Sequence, residues 1–235
     1  MATPHRQTAS ILRWLPLVAL GLFLAGCATP SRTFEPLAED RPFAKEINAF
    51  TASDATNPPP SGSVLFIGSS SIRLWKTLAQ DFSKFRVLNR GFGGSQVIDS
   101  VNYADRIVFP YKPRQIVMYA GGNDINAKKS PQQVFADFKT FVAKVHAELP
   151  RTKISYISIA PNPARWSQIA QVREANRLIE EFTRTDSRLA FIDTFSHMLG
   201  PDGHPLPDIF VSDRLHMNPK GYVIWTEVVG KHLRQ

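Results

Sequence analysis

Val64-Leu65-Phe66-Ile67-Gly68-Ser69-Ser70-Ser71 is the stretch that decides how this chain folds. The four apolar residues read as a short buried strand, and the Gly/Ser turn ends it. Ile72, Trp75 and Leu78 then fall on one face of a helical pattern. A serine on a strand-to-helix turn stands clear of the sheet edge, and backbone N–H groups at the helix start face bound negative charge. A nucleophilic serine and an oxyanion donor can therefore share one turn. Gly/Ser turns without any such role are common, so the rest of the chain has to decide.

Four further strand-like runs follow at 86–89, 115–119, 154–159 and 189–192, and they alternate with helical stretches. Ser130-Pro131-Gln132-Gln133 opens one helix with an N-cap serine, proline in the first turn and glutamine at the third position. Val134, Phe138, Phe141, Val142 and Val145 continue it as one apolar face, and Val172, Ala175, Ile179 and Phe182 give the next helix its stripe. Asn218 and Pro219 look like the cap and first turn of a last helix running through Trp225 and Val229. Strand–helix alternation predicts an α/β domain with a parallel sheet covered on both faces. Ligands bind such sheets at the carboxyl ends of the strands.

Each strand end then becomes a place to look. The second strand runs into Asn89-Arg90-Gly91-Phe92-Gly93-Gly94-Ser95, where glycines permit a tight turn and leave N–H groups uncovered. A dinucleotide loop would need glycine where Gln96 stands. The third strand ends in Ala120-Gly121-Gly122-Asn123-Asp124. Asn123 is either a turn residue or a side-chain donor to a developing oxyanion, a role worth roughly 3–4 kcal/mol of barrier. Pro161-Asn162-Pro163 after the fourth strand suggests a rigid loop at the pocket edge.

Just before the last helix, Ser212-Asp213-Arg214-Leu215-His216 sets a histidine three residues from an aspartate. His216 can accept a serine proton while Asp213 fixes its tautomer and stabilises the imidazolium. Taken alone, such a pair is more often a plain surface hydrogen bond. His146 lies mid-helix, His197 and His204 have no aspartate at this spacing on their N-terminal side, and His232 sits near the chain end. Asp193 is a rival acid or a simple turn cap. Phe92, Ile125, Arg165 and Trp166 are candidate cleft walls, with ordinary packing or surface roles as the alternative.

In this order, Gly68-Ser69-Ser70, Gly91-Phe92-Gly93-Gly94, Gly121-Gly122-Asn123-Asp124 and Asp213-Arg214-Leu215-His216 resemble the four blocks of the SGNH (GDSL-type) hydrolase family. The resemblance spans about residues 64 to 235. It implies a flavodoxin-like three-layer α/β/α sandwich on a five-stranded parallel sheet. It also implies a serine esterase that hydrolyses a carboxylic ester through an acyl-enzyme, without cofactor or metal. Ser70 would be the nucleophile, His216 the base and Asp213 its partner; Ser70 N–H, Gly94 N–H and the Asn123 side chain would form the oxyanion hole. One position departs from the pattern. Ser69 stands where the family has aspartate, which leaves three adjacent serines, of which position in the block favours Ser70. No helical lid is evident, so an open esterase cleft is expected rather than a deep lipase tunnel. An O-acetyl esterase or acyltransferase acting on envelope polysaccharide would use the same residues. An inactive ligand-binding lipoprotein that kept the fold is a reading from another class.

The N-terminus carries its own signal. Arg6 and Arg13 precede an apolar stretch from Trp14 to Leu24, which is short for a transmembrane helix. Leu24-Ala25-Gly26-Cys27 resembles the lipobox of bacterial lipoproteins, in which the cysteine is lipidated. The chain then divides into a signal peptide over 1–26, a tether over 27–42 and a hydrolase domain over 43–235. The resemblance implies a lipid anchor on Cys27 and, with Ala28 after it, a place in the cell envelope on the outer membrane, facing the periplasm. An ordinary signal peptide with an incidental cysteine is the alternative. Cys27 is the only cysteine, so no intramolecular disulfide and no cysteine-rich metal site can form. The formal charge is +8 for 235 residues. The basic residues are scattered, which suits a solvated surface or attraction to anionic lipid or polysaccharide. No helix-turn-helix, zinc-finger or RNA-binding signature is present, so the expected partner is a small-molecule or glycan ester and not nucleic acid.

Overall fold

The computed structural model describes residues 1–2 and 34–234. The chain divides into two units, Met1–Arg32 and Thr33–Gln235, and every element below belongs to the second. Cys27 and the apolar run before it lie outside the described residues, as do residues 28–33 of the segment read as a tether.

Five strands form one parallel sheet: β1 (Val64–Gly68), β2 (Val87–Gly91), β3 (Gln115–Tyr119), β4 (Lys153–Ile157) and β5 (Leu189–Ile192). Their spatial order is β2-β1-β3-β4-β5, the flavodoxin-like order. All five residues of β1 are buried, as a strand with neighbours on both edges and both faces must be. Its side chains alternate between two cores. Leu65 and Ile67 join the cluster built with α1 (Ala44–Thr56), α4 (Val97–Ile107), α6 (Pro131–Glu148) and α7 (Ile169–Thr183). Val64 and Phe66 join the cluster built with α2 (Ser70–Arg73), α3 (Leu78–Asp81) and α8 (Pro219–Gly230). The result is a three-layer α/β/α fold.

Register places the site. Gly68 pairs with Gly91 on one side and with Tyr119 on the other, so β1, β2 and β3 end at one level. The connection runs from β1 to β2 and back across to β3, which puts the reversal of strand order at β1/β3. A crevice opens at the carboxyl ends of such a reversal. The serine turn and the short α5 (Gly122–Asn126) leave the sheet on its two sides.

The capping signals hold in part. Ser130 Oγ accepts Gln133 N–H at 3.1 Å, but the Gln133 side chain turns to Asp137 instead of closing a reciprocal box. Asn218 Oδ1 accepts Lys220 and Gly221 N–H at 2.9 and 3.3 Å, with Pro219 in the first turn. The single helical pattern over Ile72, Trp75 and Leu78 is two short helices, broken between Arg73 and Leu78. There the Trp75 indole is buried, and its N–H donates to Asp81 Oδ2 at 2.6 Å. Residues 34–42 lie along the domain: Leu37 and Asn48 exchange two hydrogen bonds, and Arg106 Nη2 donates to Glu35 O at 2.7 Å. Among the described residues no helix is long and apolar enough to cross a membrane.

Candidate active site

The turn after β1 is held from every side. Gly68 has φ +124, and a Cβ there would lie 1.9 Å from Tyr119 O, so only glycine fits. Ser69 N–H donates to that same carbonyl at 2.9 Å, and Ser69 O accepts Ile72 and Arg73 N–H at 3.1 and 3.2 Å. Asn89 Nδ2 donates to Ile72 O at 2.7 Å, while Asn89 Oδ1 accepts Gly91 N–H at 2.9 Å. Tyr222 OH donates to Ser71 O at 2.9 Å. Ser69 and Ser71 are buried, at 6% and 9% exposure. Ser70 is the half-exposed serine of the three.

His216 Nε2 lies 2.9 Å from Ser70 Oγ, and His216 Nδ1 lies 2.6 Å from Asp213 Oδ2. The other oxygen, Asp213 Oδ1, accepts the N–H groups of Leu215 and His216 at 2.8 and 2.9 Å. These bonds span Arg214, whose φ of 58 lies in the left-handed region. One carboxylate thus holds both the imidazole and the backbone that carries it. The His216 hydrogen bond, followed by the two N–H groups, holds the Asp213 carboxyl down at about 2. It is ionised at neutral pH and can only accept, which leaves the proton on Nδ1 and the free lone pair on Nε2, facing Ser70.

Asn123 lines the same cleft as the serine. Its Nδ2 donates to Ser95 O at 3.0 Å, and its Oδ1 accepts Arg165 Nη1 at 3.1 Å. A carbonyl can only accept and a guanidinium can only donate, so the amide has one orientation. Nδ2 carries two hydrogens and the protein takes one, so the other remains for a bound oxygen. Ser70, Asn123, Arg165 and His216 line one cleft of about 30 Å³, floored by Tyr119, Ile159 and Val172. Gly94 does not line it. That residue has φ +83 and immediately precedes Ser95, whose carbonyl holds Asn123. Among the described residues, neither Ser70 N–H nor Gly94 N–H has a backbone acceptor.

Other candidates fall elsewhere. Phe92 and Ile125, read as wall residues, are core at 0% and 4% exposure, because apolar side chains next to the sheet edge turn inward. Trp166 does not line the cleft and packs on His204, with ring centroids 5.0 Å apart. Asp193 accepts Ser196 N–H and Oγ–H, which makes it a turn cap and no triad acid. His146 bonds Thr152 O. Among the described residues, no group of three or more His, Cys, Asp or Glu side chains is arranged to hold a metal ion. The role of Asp124 was not legible beforehand: fully buried, it accepts Val97 N–H at the start of α4.

The fold is shared with solved structures of low sequence identity. A protein from Streptococcus pneumonia, solved as a candidate platelet activating factor, is 19% identical with a TM-score of 0.73, over 81% of this chain and 92% of that one. A GDSL-like lipase from Bacteroides thetaiotaomicron is 18% identical with a TM-score of 0.67, over 79% and 96%. A catalytic mutant of an acetylxylan esterase from Geobacillus stearothermophilus is 15% identical with a TM-score of 0.59, over 73% and 94%. No curated protein matches the sequence. The profile of the GDSL-like Lipase/Acylhydrolase family matches residues 68–224, which takes in the serine turn, the glycine loop, Asn123 and the Asp213–His216 pair. The chain belongs to the GDSL-like lipase/acylhydrolase family and is a hydrolase of ester bonds.

Proposed function

We propose that Ser70 is the nucleophile of a carboxylic ester hydrolase that works through an acyl-enzyme. The observation that carries this reading is the unbroken chain from Asp213 through His216 to Ser70, with links of 2.6 and 2.9 Å. Ser70 Oγ attacks the ester carbonyl carbon as His216 Nε2 takes its proton. The carbonyl oxygen becomes an oxyanion and rests on Ser70 N–H and the free hydrogen of Asn123 Nδ2, with Gly94 N–H, on the loop just outside the cleft lining, as the third donor that the family resemblance implies. His216 returns the proton to the departing alcohol, and the acyl group remains on Ser70. Water then attacks the acyl-enzyme, again giving its proton to His216, and the acid leaves as Ser70 recovers its hydrogen. Asp213 stays ionised throughout and stabilises the imidazolium.

The acyl group in this reading is short, and acetyl is the member of the class that a cleft of about 30 Å³ suits best. That favours the O-acetyl esterase form of the reading, with an O-acetylated glycan as one substrate class. An acetylxylan esterase among the proteins of similar fold is consistent with it. The connected Ser70, His216 and Asp213 side chains favour an active enzyme over a ligand-binding relic. We further propose a lipid anchor on Cys27 and a position on the outer membrane facing the periplasm. The support is the sequence alone: the basic and apolar segments before Leu24-Ala25-Gly26-Cys27, and Ala28 after it.

The test is turnover of p-nitrophenyl acetate by the full chain. Ser70→Ala is expected to abolish it, while Ser69→Ala and Ser71→Ala retain it. A fluorophosphonate should label Ser70, as read by mass spectrometry. Undiminished turnover in Ser70→Ala would sink the assignment.

A further inference from the structure

We propose that Arg165 is the positioning residue of the oxyanion hole: it fixes the direction of the Asn123 amide and polarises it toward the substrate oxygen. The inference rests on the reading of Asn123 as an oxyanion donor and names what makes that donor work.

An isolated asparagine side chain can turn either end of its amide toward a ligand, and the wrong end presents a carbonyl to a developing negative charge. Arg165 removes that freedom. Its Nη1 donates to Asn123 Oδ1 at 3.1 Å and to Gly122 O at 3.0 Å, gripping the side chain and the backbone before it. Ser95 O takes one Nδ2 hydrogen at 3.0 Å from the other end. Flipping the amide would set Nδ2 against a guanidinium and Oδ1 against a carbonyl, losing two bonds and creating two repulsions.

Arg165 is itself built in. Its N–H donates to Asn162 Oδ1 at 2.9 Å, and Pro163 begins the short 3-10 segment that carries it. Next to it, Ala164 N–H donates to Arg214 O at 3.1 Å, which ties this segment to the loop holding Asp213 and His216. The guanidinium is half-buried and has no ion-pair partner among the described residues. Among the described residues, the cleft lining holds no Asp or Glu. Burial pushes the Arg165 pKa down, yet a guanidinium keeps its charge in proteins. The cleft therefore contains one unneutralised positive charge, bonded to the oxygen end of Asn123. A cation on Oδ1 draws electron density through the amide and strengthens Nδ2–H as a donor. This charge is in place before the oxyanion forms.

The test is a double-mutant cycle in the full chain with p-nitrophenyl acetate. Arg165→Met is expected to lower kcat by about 10- to 100-fold with KM within about twofold, the signature of an interaction made in the transition state. Arg165→Lys should restore part of the loss. In an Asn123→Ala background, adding Arg165→Met should change kcat by less than about twofold, since nothing is left to position. A merely structural role for Arg165 would carry the full loss into that background, and this outcome would overturn the proposal. A rise in KM at unchanged kcat would also overturn it, by making Arg165 a substrate-binding group. If Arg165→Met does not fold by circular dichroism, the cycle is run with Arg165→Lys and judged by the same two criteria. Full activity in Asn123→Ala removes the oxyanion reading and this proposal together. A loss in Asn123→Ala with none in Arg165→Met removes this proposal alone.

Discussion

Asp124 presents both carboxylate oxygens to the N–H of Val97, each at 3.2 Å, from a position with no solvent exposure. Neighbouring residues of one tetrapeptide have thus divided their duties. Asn123 faces the cleft, and Asp124 turns inward to hold the first residue of α4, which follows the loop carrying Gly94 and Ser95. Burial pushes the Asp124 carboxyl up, and Lys129 Nζ at 3.3 Å and the Val97 N–H act against that shift. Replacing Asp124 with alanine leaves Val97 N–H unpaired, while Lys129 keeps Asp137 at 2.9 Å. The expected cost is about 1–3 kcal/mol in urea unfolding, with a parallel fall in kcat as the two oxyanion segments separate. Asp124→Asn keeps the shape and one acceptor, so its loss should be smaller. A destabilised Asp124→Ala enzyme with native kcat would show that this junction does not position the site.

Gly94 and Gly203 offer a matched pair. Their φ angles are 83 and 76, and a Cβ at either meets nothing within 4 Å. Alanine at each should therefore cost the same backbone strain, about 1–2 kcal/mol. Only Gly94 precedes the Ser95 carbonyl that holds Asn123. Gly94→Ala is expected to lose activity on p-nitrophenyl acetate at least tenfold beyond Gly203→Ala, at matched melting temperatures, by roughly the scale of a disturbed oxyanion donor. Equal kcat in the two variants would show that the left-handed conformation of Gly94 does not set the geometry of the hole.

The strands were legible because each is a short apolar run between turn residues, and a buried parallel sheet demands that pattern. The four site segments were legible because each lies at the end of a strand or just before the last helix, where side chains of those types have few other uses. What escaped the sequence is contact across long separations. Arg165 reaches Asn123 over 42 residues, and Val97 reaches Asp124 over 27. Periodicity carries no information about either. Phe92 and Ile125 take the packing alternative and not the wall: a sequence marks them as close to the cleft but not which way they point. The break between Arg73 and Leu78 has no signature in the periodicity either, which keeps Ile72, Trp75 and Leu78 on one face.

Acid should loosen the catalytic loop only near the bottom of the acid range. The folded Asp213 carboxyl sits at about 2, below the roughly 3.9 of an unfolded aspartate. Its contribution to stability is therefore fully present above the unfolded value and is lost as pH falls through the folded one. Protonation removes the charge that holds His216 and weakens the bonds to Leu215 and His216 N–H. Asp213 is well exposed, with 46% of its side chain accessible, so solvent screens this term and the effect is local. Between about pH 4 and pH 2, wild-type melting temperature should fall more steeply than that of Asp213→Asn, which has no such proton to take up. Parallel curves for the two proteins would show that the low value has no consequence for folding.

The size of the cleft makes the sharpest demand on substrate. About 30 Å³ of space open to water suits a short acyl group better than a long chain. Ile159 and Val172 close its floor at 1% and 7% exposure, and Asn176 clamps the Ile159 backbone with bonds of 2.8 and 3.0 Å. That clamp prevents the floor from retreating cheaply. Each methylene that finds no room costs about 1–3 kcal/mol in discrimination, so kcat/KM should fall at least tenfold from p-nitrophenyl acetate to butyrate and further to octanoate. Val172→Ala should raise the butyrate-to-acetate ratio by removing wall without touching Ser70, His216 or Asn123. Ile159→Ala should raise it more, at a stability cost of about 2–5 kcal/mol for emptying a buried site. Wild-type enzyme that turns over octanoate as readily as acetate would place the acyl chain outside this cleft, leaving the floor residues without a part in selectivity.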